Sequence, residues 1–162
     1  MDSDQILREQ LIQLLRSQNA HMPLKSAVAD FPMEAINKRP PNVPYTPWHL
    51  LEHIRIAQWD ILEFIRNPKH VSPAWPKGYW PEQDADAEPS DWNKTLHSYG
   101  ADLDALEEMV RDPNTDLFTP IPHGDGQNIL REILTVADHS AYHTGEFAIL
   151  RQVMGTWPKN RQ

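Results

Sequence analysis

Apolar residues recur at helical spacing in four stretches of the chain. In the first, about 3–18, Ile6, Leu7, Leu11, Leu14 and Leu15 fall on one stripe. The second opens at Thr46-Pro47, a good N-cap followed by the residue favoured at the first helical position, and runs to about 67, before Pro68. In it Leu50, Ile54, Ala57, Ile61, Phe64 and Ile65 define the arc expected to be buried. The third opens at Ser90-Asp91 and ends at Arg111, before Asp112-Pro113; Leu96, Tyr99, Leu103, Leu106 and Val110 are its stripe. The fourth, about 128–154, is the longest and contains no proline; Gly155 and Pro158 stop it. A weaker pattern at 24–37 allows one short extra helix. With no paired strands and no repeat, this predicts an all-α chain: a four-helix bundle in a single domain, 1–162.

The linkers are unusual for a simple bundle. The stretch 68–89 holds five prolines together with Trp75, Tyr79 and Trp80. Connections longer than about 12–15 residues are usually functional or disordered, and the aromatics argue against disorder. Two readings stand: a packed surface loop, or a loop lining the mouth of a site. Residues 38–46, rich in proline, form a second stiff linker.

Composition narrows the function classes. The 162 residues are 40% hydrophobic and 23% charged, ordinary for a soluble domain. A net charge of −8, without a lysine or arginine run, argues against a nucleic-acid partner. With no cysteine, there is neither a disulfide framework nor a thiolate metal site, and any thiol chemistry needs a thiol from outside. Met1-Asp2-Ser3-Asp4-Gln5 does not look like a signal peptide, and no apolar run is long enough to span a membrane. The expectation is a cytoplasmic protein without a membrane role.

The chemistry points to histidine. His139 and His143 are four apart in the fourth segment, so both rings project from nearly the same helix face and can reach one atom. Neutral imidazole suits zinc and neighbouring transition metals. A third ligand is offered by the second segment, where His53 lies at the edge of the apolar arc. His49 falls about 40° further toward solvent, at the site's edge or in water. His143 borders the apolar arc near Val136 and Phe147, and His139 lies one step further out in a polar stripe with Glu132 and Glu146. Packing of the second segment on the fourth could bring His53, His139 and His143 together. A lone histidine is more often a surface or satisfied half-buried residue; His21, His70 and His97 are read that way, and His123 as a turn or rim residue. The protease motif fails, because His139-Ser140-Ala141-Tyr142-His143 has serine where a glutamate base is needed. Neither a phosphate-binding glycine loop nor a Gly-x-Ser-x-Gly elbow is present.

Thr46-Pro47-Trp48-His49-Leu50-Leu51-Glu52-His53 resembles the second-helix signature of the DinB-like (DinB/YfiT) superfamily, and Asp138 to Glu146 resembles its last-helix signature. The run from Pro122 to Gln127 looks like one branch of that group. The resemblance implies a four-helix bundle, often a homodimer, holding a divalent metal on His53, His139 and His143. Many relatives have glutamine where Glu146 stands, so a catalytic part for Glu146 has three forms: orienting an imidazole, acting as a base, or becoming a fourth ligand. Characterised relatives include metal-dependent transferases that use low-molecular-weight thiols such as bacillithiol or mycothiol.

The leading expectation is therefore a metal-dependent thiol S-transferase with a small-molecule substrate. Zinc or nickel are the first candidates for the metal and iron the third. A hydrolase using metal-bound hydroxide, or a non-catalytic metal-binding stress protein, are the alternatives. A homodimer is expected through Ile56 and Trp59, which point away from the buried arc.

Overall fold

Asp2 starts the first helix by accepting the backbone N–H of Gln5 at 2.8 Å. The computed structural model, which describes residues 2–159, has five α-helices: α1 (Ser3–Leu15), α2 (Leu24–Val28), α3 (Pro47–Arg66), α4 (Pro89–Arg111) and α5 (Ile129–Met154). No β-strand occurs among the described residues; one isolated bridge joins Pro120 and Asn128. The all-α expectation holds, and the boundaries move for local reasons. The first helix stops at Leu15 because Ser17 takes a left-handed conformation, φ 54°. The 24–37 pattern splits into α2 and a 3-10 turn, Met33–Ala35, on either side of Pro32. The third long helix begins earlier than expected, with Pro89 at its first position and the Glu88 N–H donating to the Asp91 carboxylate at 2.9 Å. α5 is capped by Asn128 and closed by Gly155 at φ 63°, where a side chain would strain the backbone.

α1 and α3 each pack against both α4 and α5, and α2 packs on α5. The core has two storeys. One gathers Leu24, Phe31, Leu50, Ile54, Trp92 and Phe147; the other gathers Leu11, Leu62, Leu106, Val110, Ile133 and Val136. Between them lies a polar layer. Gln58 donates to the Tyr99 carbonyl at 2.8 Å, Tyr99 is hydrogen-bonded to Ser140, and Thr144 is buried one turn further along α5.

Two buried arginines tie loops to the core. Arg151 donates to the carbonyls of Ala27, Ala29 and Thr156 at 2.6–2.9 Å. Arg8 donates to those of Val110, Asp112 and Thr115 at 2.8–2.9 Å. In each case a guanidinium satisfies carbonyls in the last turn of a helix or just beyond it, which intrahelical bonds leave unpaired.

Candidate metal centre

The start of α3 decides what two of the histidines can do. Thr46 Oγ1 accepts the His49 N–H at 3.1 Å, and the Thr46 N–H donates to His49 Nδ1 at 3.4 Å, a reciprocal capping box. His49 Nε2 then carries the proton and donates to the Ala85 carbonyl at 2.7 Å. Both ring nitrogens are used and the residue is buried. Of the two placements expected for His49, the site's edge or water, the second is corrected: the wheel placed it outside the apolar arc, but the 68–88 segment covers that side of α3.

One turn on, the pattern reverses. His53 Nδ1 lies 2.9 Å from the Tyr79 carbonyl, which can only accept, so the proton sits on Nδ1 and Nε2 presents its lone pair. On α5, His143 Nδ1 donates to Glu146 Oε2 at 2.5 Å, so the neutral ring, the form that binds a metal, presents Nε2 as a lone pair too. His53 Nε2 lies 3.2 Å from His143 Nε2 and 3.1 Å from His139 Nε2. Where both facing nitrogens carry lone pairs, as in neutral His53 and His143, they repel at this separation unless a cation lies between them. Metal–nitrogen bonds of about 2.0–2.1 Å place neighbouring ligand atoms about 2.9 Å apart in an octahedral site and about 3.3–3.4 Å apart in a tetrahedral one. The three histidines therefore fit a divalent metal, and among the described residues they are the group able to hold one.

The electrostatics agree. Burial, with His143 and His53 adding to it, lowers the His139 pKa to about 4. Burial also lowers His53, against the opposing Tyr79 hydrogen bond. Both rings are neutral near pH 7, the state a metal needs. Burial raises the pKa of Glu146, but hydrogen bonds from His143 and Tyr45 outweigh it, so its carboxyl lies below the usual range and is ionised. Tyr45 donates its hydroxyl to Glu146 Oε1; burial and that carboxylate push the phenol well up, so it stays protonated.

Aromatic rings wall the centre. Trp80 stacks on His53, centroids 3.9 Å apart and 5° from parallel. Tyr45 packs against Trp80, and the exposed Tyr142 lies edge-on to His143. The 68–88 segment is thus a packed loop that also lines the centre. A cavity of about 680 Å³ opens elsewhere, beside Leu24, Phe31, Trp92 and Tyr99, and none of the three histidines lines it.

A family model of the DinB superfamily matches residues 13–147, from the end of α1 to Phe147 in α5. The chain belongs to the DinB superfamily. Comparison with curated proteins and with solved structures gave no match. The stretch shared with the DinB superfamily contains all three histidines, Glu146 and the covering segment.

The other expectations fall outside the centre. His123 Nε2 donates to the Phe64 carbonyl at 2.6 Å, capping the far end of α3, about 16 Å along the helix from His53 at the usual rise. His70 is paired with Asp60, and His21 and His97 are exposed. Glu132, in the polar stripe with His139 and Glu146, is buried and paired with Arg131. Trp59 is partly covered by His70, which meets its ring edge-on at 5.2 Å. The sequence reading did not single out Tyr45, or the Tyr79 carbonyl as partner of His53. No residue-type signal marked the second, because a polar face on α3 reads as solvated until the path of the covering segment is known. No helix is long and apolar enough to cross a membrane among the described residues.

Proposed function

We propose that this DinB-superfamily protein is a metal-dependent transferase of the cytoplasm that activates a low-molecular-weight thiol for attack on a small organic electrophile. The observation that carries the reading is the convergence of three imidazole Nε2 atoms from α3 and α5, two of them 3.1–3.2 Å from the third. His53, His139 and His143 would hold the ion, zinc or nickel first and iron third. A divalent ion on three neutral ligands supplies a Lewis acid that lowers the pKa of a coordinated thiol or water.

The chain's own residues supply orientation and shielding. Glu146 fixes the ring of His143 and, being ionised, raises its basicity as a ligand. Its two oxygens are engaged by Tyr45 and His143, which favours an orienting part over that of a base. Trp80 and Tyr45 form an apolar wall that suits a polarisable thiol and an organic electrophile better than a highly charged substrate. We also propose a homodimer; the exposed apolar side chains of Leu134, Tyr142, Ile149 and Val153 along α5 support it better than the half-buried Ile56 and Trp59.

Purification without a chelating tag, metal analysis, and a conjugation assay with a panel of small thiols and a chloro-nitrobenzene test the reading. About one metal per chain and thiol-dependent turnover lost on chelation are expected. Ester hydrolysis without a thiol moves the reading to the hydrolase. Metal bound with no turnover of either kind leaves a binding protein, and no stoichiometric metal removes the centre altogether.

A further inference from the structure

The covering segment runs back along α3, antiparallel to it. Ala85 meets His49, Tyr79 meets His53, and Tyr79 and His70 together meet Asp60. His49, His53 and Asp60 lie within about 40° of one another around the helix, so one face of α3 makes all these contacts. Asp60 is 6% exposed, and both its oxygens are used. Oδ2 accepts the Tyr79 hydroxyl at 2.6 Å and Oδ1 accepts His70 Nε2 at 2.7 Å. Burial, with Asp60 beside it, pushes the Tyr79 phenol up to about 12, which keeps it a donor.

A buried carboxylate is costly unless it is paired, and nothing in the chemistry above uses Asp60. Its contacts lead to the centre through one residue. The hydroxyl of Tyr79 is held by Asp60, its carbonyl sets the Nδ1 proton of His53, and the next residue, Trp80, stacks on the same ring. We propose that Asp60 is a positioning residue for the metal centre, acting through Tyr79 on His53. One anchor on α3 fixes both the tautomer and the tilt of a ligand on that helix. His70 completes the anchor by occupying the second carboxylate oxygen. The inference rests on His53 being a ligand, as proposed above. No hydrogen bond or ring contact joins the Tyr79 phenol or Asp60 to any of the three histidines, and the hydrogen-bonded route from Asp60 to His53 runs through Tyr79.

Cobalt(II) titration of full-length wild type, Asp60→Asn, Tyr79→Phe and the double variant tests it, read by visible absorption and a competing chelator. Each single variant is expected to bind cobalt roughly tenfold more weakly, within the range for partners of metal-ligating histidines, with a shifted visible spectrum. The double variant is expected to be no weaker than the worse single one, because both changes cut the same link. Thermal midpoints of the metal-free proteins are measured alongside. Lower midpoints with cobalt affinity and spectrum unchanged mean a purely structural anchor and overturn the proposal, as do additive losses in the double variant. If Asp60→Asn does not fold, Tyr79→Phe, which removes a single oxygen, carries the test alone. Wild type that binds no cobalt overturns the reading of the centre and this inference with it; wild type that binds while the variants match it overturns this inference only.

Discussion

Replacing Glu146 with glutamine removes a charge and keeps the shape. Glu146 accepts the His143 Nδ1–H at 2.5 Å and the Tyr45 hydroxyl. A hydrogen bond to a charged group contributes about 1.5–3 kcal/mol and a neutral one about 0.5–1.5 kcal/mol. Glutamine can still present its carbonyl oxygen to His143, so the loss at that bond is the difference, about 1–1.5 kcal/mol. The Glu146 side chain keeps 29% of its exposure, and solvent screens part of that difference. At about 1.4 kcal/mol per tenfold, metal affinity should fall roughly 3- to 10-fold in Glu146→Gln. In Glu146→Ala the acceptor is gone and the His143 ring is free to turn, so the loss should be roughly 10- to 100-fold. Competition against a chromophoric chelator at neutral pH measures both, with circular dichroism to show the fold retained. Equal affinities for wild type and both variants refute the orienting argument. Unchanged affinity with activity abolished in Glu146→Gln would instead make Glu146 a base.

His53→Ala, His139→Ala and His143→Ala should each lose most bound metal in elemental analysis. His49→Ala should keep it and lose about 1 kcal/mol of stability in urea unfolding, because it removes half of the capping box. The metal-free protein should lose stability as the pH falls from about 6.5 toward about 4. His139 has its folded-state pKa lowered to about 4, so over that window the unfolded chain takes up a proton that the folded one refuses. Thermal midpoints across that range should fall less steeply for His139→Gln than for wild type. Arg151→Leu should cost about 3 kcal/mol or more in chemical denaturation, since it strips the donors from the carbonyls of Ala27, Ala29 and Thr156. Light scattering should show a dimer for wild type and a monomer for Ile149→Asp; a wild-type monomer at high micromolar concentration rejects the homodimer.

The helices were legible because each carries its own signals: Thr46-Pro47 opens α3, Asn128 and Gly155 bracket α5, and apolar stripes connect them. The three histidines could be picked out for the same reason, since helical spacing alone puts His139 and His143 on one face and His53 at the margin of another. What the periodicity could not supply was everything set by the covering segment. A helical wheel knows nothing of residues that are distant along the chain, so it put His49 at the site's edge or in water and left Trp59 uncovered. Contacts through a backbone carbonyl, such as that of Tyr79 with His53, depend on the path of the loop and carry no residue-type signature. Tyr45 went unread because it lies in a linker, where neither spacing nor pattern tells which way a side chain faces.

The division of the core into two storeys bears on how the molecule opens. Apolar burial drives cooperativity, and the layer of Gln58, Ser140 and Thr144 interrupts it; Gln58 Oε1 and Thr144 Oγ1 have no hydrogen-bond partner in the protein. In the metal-free chain the two storeys are therefore candidates for separate foldons, with α3 and α5 running through both like rails through a joint. An ion bound beside that joint bolts the rails together. Amide exchange at 139–144 should slow on metal binding by more than the rise in global stability accounts for, and the two storeys should then unfold as one unit.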